Sequence, residues 1–295
     1  MIRYKRLLLL PVLLLFSPHP AEAQTPSDKG KQYEELVARY FDYYERGVAD
    51  SAEMALREAL LLAPDHQANF LLKANLAELV VARRDTAEAV SLLSEALAAH
   101  PEMTDIRSRR AELFEKSGKS QDALSDLEIL INDHPKNEVY RYRRALLLIG
   151  QKLWNGAASD LEEIVRNNPN GYLPRVALAA TDFERGRELE AEQALTQLVS
   201  DYPEIHVAAR VLTGLYLRQG RKSDAHETIR KVISEGKVVT AEDYLTRAFV
   251  WLRYGEEVEA EKDFKKAMEL GASGATVSDY KAAKDIMWKP ITMQK

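Results

Sequence analysis

Five prolines, Pro64, Pro101, Pro135, Pro169 and Pro203, punctuate the chain at intervals of 37, 34, 34 and 34 residues. Each closes an apolar run of helical character: "REALLLAP", "SEALAAHP", "LEILINDHP", "LEEIVRNNP" and "LTQLVSDYP". Proline lacks an amide hydrogen and its ring collides with the preceding turn, so it ends a helix at that point. Twelve residues before each proline stands an alanine (Ala52, Ala89, Ala123, Ala157, Ala191), and Ala225 and Ala260 continue the series where the prolines stop. Four residues after each alanine comes a large apolar side chain: Leu56, Leu93, Leu127, Leu161, Leu195, Ile229 and Phe264. Five residues before the alanine, glycine recurs at Gly47, Gly118, Gly186, Gly220 and Gly255, with Arg84 and Lys152 in the two remaining copies. Three markers sharing one period describe a unit of helix, turn and helix. One such unit cannot bury its own apolar face, so neighbouring units must stack.

This period, with its turn glycine, small residue and closing proline, resembles the tetratricopeptide repeat (TPR). The resemblance spans about 33–274, seven consecutive copies. It implies an all-α fold, a right-handed α-α superhelix (TPR solenoid) in which the first helix of every copy lines a concave, partner-binding face. Copies six and seven depart from the pattern, with Lys237 and Ala272 where the proline would fall. The first junction carries three extra residues near 67–69, predicting a helix longer by most of a turn. Residues 24–32 read as a linker and 275–295 as a capping helix and tail. Within that tail "SDYKAAKDIMW", 278–288, predicts one helix, with Ser278 as N-cap and Pro290 just beyond its end, a solubilising cap on the last copy.

Ahead of the repeats, "MIRYKR" is followed by the apolar run 7–16 and the small-residue triplet "AEA" at 21–23. Basic, apolar, small is the order of a secretory signal peptide, cleaved here after Ala23. The apolar run holds ten residues with Pro11 among them, and a spanning helix needs about 20. The expected mature protein is exported, periplasmic or secreted, without a transmembrane segment. With no cysteine there is no thiol for a lipid anchor and no disulfide. Removing residues 1–23 takes away three bases and one acid, so 38 Lys+Arg face 45 Asp+Glu, a net charge of −7. Such a chain is a poor ligand for nucleic acid, which requires a basic face.

Against that acidic background, "YRYRRALLL", 140–148, holds three arginines in four positions. Placed in register, they separate. Arg144 shares its slot with Arg39, Arg110 and Arg247, and the residue 16 positions later is Asp160, Asp126 and Asp263 for three of these, but Ala55 for Arg39. Arginine accompanies every aspartate, which predicts the structural salt bridges Arg110/Asp126, Arg144/Asp160 and Arg247/Asp263. Arg107, Arg141 and Arg175 form a second ladder, with aliphatic stems predicted to cover apolar surface. Arg143 falls on a slot that the resemblance assigns to the concave face, as does Arg109 one copy earlier, and Tyr142 and Arg210 fall on the adjoining slot, which it assigns to the same face. Together with the aromatic residues Phe41 and Phe183, they make Arg109, Tyr142, Arg143, Arg210, Phe183 and Phe41 the candidate peptide-binding residues, suited to a peptide or helix with acidic groups. The family's carboxylate-clamp pattern of lysines and asparagines is not reproduced, since only Asn75 stands at a matching slot.

Catalytic, cofactor and metal motifs are absent from the pattern. His100 and His134 occupy the same slot one copy apart, too far to share an ion whose ligands sit about 2 Å from it. The expected function is a non-enzymatic protein-interaction scaffold of the cell envelope. Two alternatives stand beside it: a chaperone-like module that holds clients, and an accessory protein of surface polysaccharide handling.

Overall fold

The computed structural model describes residues 28–292; the signal-peptide reading falls outside them. Among the described residues there are sixteen helices and no strand. They group into two compact units that divide after Pro135. The first unit holds α1 (Asp28–Glu45), α2 (Ala49–Leu62), α3 (Asn69–Ala82), α4 (Thr86–Ala99), α5 (Thr104–Lys116) and α6 (Ser120–Asp133). The second holds α7 (Glu138–Gly150), α8 (Trp154–Asn167), α9 (Tyr172–Glu184), α10 (Glu188–Asp201), α11 (Val207–Arg218), α12 (Lys222–Glu235), α13 (Ala241–Tyr254) and α14 (Glu257–Glu269), then α15 (Gly274–Ala282) and the short α16 (Lys289–Thr292). Odd-numbered helices from α1 to α13 are the first members of hairpins and even-numbered helices the second, each packed on its partner and on neighbours within its unit.

Backbone chemistry at the two kinds of turn explains the period. Inside every hairpin the first helix closes with a left-handed residue and paired N–H bonds to carbonyls of the last turn. Gly118 N–H donates to the Glu115 carbonyl at 3.2 Å and Lys119 N–H to that of Phe114 at 2.9 Å. This is the Schellman arrangement, which glycine accepts without strain because it lacks a Cβ. Arg84 and Lys152 adopt the same conformation, at φ of 67° and 60°. Between hairpins the residue before each proline holds nearly one conformation: φ lies between −136° and −130° at Ala63, His100, His134, Asn168 and Tyr202. The steric demand of the following proline selects that extended geometry. Where copy seven lacks the proline, Gly271 at φ 99° closes α14 with a Schellman turn.

Packing explains the other two markers. The seven period alanines are 0–1% exposed, as are the seven large residues that follow them. An alanine lets two helix backbones approach, and the residue one turn later fills the space beside it. The first unit has one core cluster, from Tyr33 to Leu113. The second has a large cluster over α7–α12 and a smaller one over α13–α15.

Three features depart from the sequence reading. Helix α1 starts at Asp28, five residues before the repeat boundary, because Tyr33 and Val37 bury themselves against α2 and α3 and pull the preceding turn into the helix. The extra residues of the first junction do not lengthen α3, which has 14 residues like α13. They widen the turn 63–68 instead, tied by buried Asn69, whose Nδ2 donates to the carbonyls of Ala63 and Pro64 at 2.7 and 2.9 Å. A terminal helix does cap the last hairpin, but α15 begins four residues earlier than Ser278. Ser273 is its N-cap, accepting the Thr276 N–H at 3.1 Å, while the Ser278 hydroxyl donates back to the Gly274 carbonyl. The helix ends at Ala282, and 283–288 leaves as non-helical chain.

Candidate peptide-binding surface

The arginine–aspartate ladder is bidentate in each of its three rungs. Arg110 donates to Asp126 from Nε at 2.9 Å and from Nη2 at 2.7 Å. Arg144 reaches Asp160 at 2.7 Å with both groups, and Arg247 reaches Asp263 at 2.8 and 2.7 Å. These aspartates are nearly inaccessible, and the second arginine ladder converges on two of them: Arg107 lies 3.4 Å from Asp126 and Arg141 3.6 Å from Asp160. Arg107 also donates to the Pro101 carbonyl at 2.5 Å, so its charge, and not only its stem, is used inside the frame. Arg39, which has no aspartate, is exposed beside a shallow cleft of Leu36, Leu61 and Leu62.

The six candidate binding residues divide between the two units. Phe41 and Arg109 are in the first unit, the other four in the second. Phe41 is half-buried against Tyr40, with ring centroids 4.9 Å apart. Arg109 is clamped by carboxylates: Nε and Nη2 donate to Glu78 at 2.6 and 2.8 Å, and Nη1 to Glu112 at 2.8 Å. Its charge is matched locally, since Lys116 offsets Glu112 in turn. Tyr142 is partly buried against the large cluster of the second unit, and burial pushes its phenol up to about 12. Arg143 is partly exposed beside it on α7, and Val139 is 62% exposed one turn earlier.

Arg210 and Phe183 are buried rather than open on a wall. Arg210 is 7% exposed and donates from Nη1 to Asp243 Oδ1 at 2.6 Å. Its place on α11 points it towards the start of α13, where Asp243 also faces His206 Nδ1 at 2.8 Å and accepts the Thr240 N–H at 2.9 Å. Thr240 and Asp243 form a capping box for α13. Burial raises the carboxyl of Asp243, but the Arg210 charge and the bonds from Thr240 and His206 outweigh it and hold the group below its usual range. The sequence "TAED", 240–243, carried the capping signal; the partnership of Asp243 with Arg210, 33 residues earlier, had no local marker. Asn75, the lone clamp-like residue, is 1% exposed within the first core.

Phe183 lies under the Arg218 guanidinium in the second unit's large cluster, and the chain itself returns over the first helices around it. After α15 the segment 283–292 runs back over α9 and α11. Ile286, Met287 and Ile291 are 1%, 0% and 4% exposed. The passage depends on Gly214 in mid-helix on α11: a Cβ there would lie 2.6 Å from the Met287 Cα and 2.8 Å from its nitrogen. Arg253 Nη2, on α13, donates to the carbonyls of Ala283 and Lys284 at 3.3 and 2.6 Å. Trp288 stacks on Trp154, with centroids 5.7 Å apart and planes 10° from parallel, and its Nε1 donates to Glu184 Oε1 at 3.0 Å. Arg218 binds the same Glu184, lies 4.8 Å over the Phe183 ring and sits 3.7 Å from the Asp285 carboxylate. Burial raises the Glu184 carboxyl, yet the bonds from Arg218 and Trp288 together bring it below the ordinary value.

Among the described residues no group of three His, Asp or Glu side chains is placed to hold a metal ion, and no helix is long and apolar enough to cross a membrane. Residues 80–147 match the tetratricopeptide repeat family model. No curated protein matches the chain. Among solved structures, a tetratricopeptide repeat protein from Parabacteroides merdae is similar at 28% identity, covering 85% of this chain and 98% of its own, with a TM-score of 0.69. PilW, described as a widely conserved type IV pilus biogenesis factor, aligns at 15% identity and a TM-score of 0.52 over 76% of this chain and 97% of its own. A thermophilic TPR protein of Thermus thermophilus aligns at 17% identity and 0.51 over 61% of this chain and 97% of its own. These last two are likenesses of fold. The chain thus contains tetratricopeptide repeat sequence and folds as tetratricopeptide repeat proteins do.

Proposed function

We propose that this protein is an exported, non-enzymatic interaction scaffold of the cell envelope, built from seven tetratricopeptide copies, that binds a segment of a partner protein along its first helices. One observation carries the reading. The first helices α9, α11 and α13 already hold a length of non-helical chain through main-chain carbonyls and buried apolar side chains, and a tryptophan of that chain stacks on Trp154 at the start of α8. These are the contacts by which a groove recognises an extended peptide. Export rests on the order of basic, apolar and small residues at 1–23. Beside the occupied helices, Arg143 and Tyr142 on α7, close to exposed Val139, are of the residue types enriched at binding hot spots.

The test is a photo-reactive residue at Val139 in the full chain, crosslinked in whole cells and read by mass spectrometry. A single stoichiometric protein partner is expected, with Arg143→Ala weakening it by about 2 kcal/mol. A broad spread of unrelated clients would instead indicate a holding chaperone. Absence of any protein adduct, with binding competed by free glycan, would indicate the polysaccharide role.

A further inference from the structure

The segment 283–291 differs from the rest of the core in how it is attached. Among the described residues the other long buried stretches belong to hairpin helices or to the capping helix, whereas this one is a single strap, tethered through α15 and laid over α9, α11 and α13. Its contacts are those of a ligand. Arg253 reads main-chain carbonyls, which any sequence could offer. Arg218 faces one carboxylate, Asp285. The following Ile286 and Met287 enter apolar surface, and Trp288 is held both by its face, on Trp154, and by its edge, at Glu184. Glycine in mid-helix weakens a helix relative to alanine, and Gly214 stands where the strap crosses α11 with no room for a side chain. Beside Trp154 and Glu184 lies an open cleft of about 580 Å³, lined otherwise by turn residues 152–156 and by Arg185 and Arg187.

We propose that the strap is a tethered pseudo-ligand that keeps this groove shut. The partner it fits is an extended protein segment of the same chemistry: an acidic residue followed by two aliphatic or thioether side chains and an aromatic one, which binds by displacing residues 283–291. The proposal rests on the scaffold reading above and adds to it the identity of the groove, the chemistry of the partner segment and a built-in competitor. A competitor on the same chain acts at a high effective concentration, in the millimolar range for a short flexible tether. It therefore sets a threshold that only a well-matched segment passes.

The probe is a fluorescein-labelled peptide of residues 281–292, KAAKDIMWKPIT, titrated by anisotropy into the full chain. Two variants free the strap by different means: Asp285→Lys reverses the charge facing Arg218, and Met287→Asp puts a carboxylate into the apolar surface. Circular dichroism verifies the fold, and a red shift of tryptophan emission reports release of Trp288 from Trp154. The freed variants are expected to bind the peptide at least about tenfold more tightly than the wild type. Adding Gly214→Val is expected to abolish that gain, and a peptide with lysine in place of its aspartate to lose most of it. Folded variants that release the strap without capturing the peptide would overturn the proposal, since the strap would then be ordinary core. So would a failure of both variants to release it while folded, or wild-type binding as tight as theirs. None of these results touches the crosslink at Val139, so the scaffold reading and the gate fail separately.

Discussion

At the residue scale the most informative positions are the two where the repeat's own rule is broken. Arg84 and Lys152 take the turn slot that glycine holds in the other five copies, and the backbone does not adjust: both are left-handed, at φ of 67° and 60°. A residue with a Cβ is disfavoured there by about 1–2 kcal/mol because Cβ crowds the neighbouring carbonyl. Arg84→Gly and Lys152→Gly are therefore each expected to stabilise the protein by roughly 1 kcal/mol, less the extra chain entropy that glycine brings to the unfolded state. Urea unfolding of the single variants checks this, and a midpoint lowered by either would contradict the strain argument. The position of this turn was legible from sequence because a glycine at fixed phase reports a backbone need. The same logic worked for the aspartates, whose appearance 16 residues after an arginine reflected a bidentate bond between two helices of one hairpin.

At the scale of elements, helix boundaries were legible and the partners of individual side chains much less so. Proline and the period alanine report local facts, a helix end and a close approach, and both recur in every copy that carries them. Arg210 looked like an open groove residue because the family resemblance assigns its slot to the concave face, although in four other copies that slot holds Val37, Ala74, Val176 and Leu245, all buried. What buries it is Asp243 on α13, a residue whose first duty is to cap its own helix. This cluster joins α11 to α13 and has nothing repeated about it, so no period could reveal it. Asp243→Asn removes the charge that faces Arg210 and leaves that guanidinium buried and uncompensated, a loss expected to cost about 3–5 kcal/mol. Because the folded carboxyl lies below its usual range, its contribution is complete above the ordinary aspartate pKa of about 3.9. It is lost as pH falls through the lower folded value. Thermal melts of wild type and Asp243→Asn should thus differ widely at neutral pH and converge on acidification. Melts that differ equally at both pH values would remove Asp243 as the source.

At the scale of the whole molecule, part of the first-helix surface that sequence reasoning assigned to a partner is covered, in the second unit, by the chain's own strap, while Val139 on α7 stays exposed. The strap escaped notice because "SDYKAAKDIMW" has a plausible helical reading, and only the close approach at Gly214 and the tryptophan stack show where its second half goes. Position of the reporters also allows a test of how far one copy feels another. All three tryptophans, Trp154, Trp251 and Trp288, lie in the second unit, whereas circular dichroism reads helices in both. In a repeat protein, stability is close to a sum of terms within copies and between nearest neighbours. Leu93→Ala, in the second hairpin, opens a cavity at a side chain 1% exposed, with an expected cost of about 2–5 kcal/mol. That loss belongs to the first unit. In urea the circular dichroism transition is expected to start earlier and broaden, while the tryptophan midpoint stays at the wild-type value. If both signals shift together by the same amount, unfolding is a single cooperative event, and the additive description of the chain gives way to one in which every copy depends on all the others.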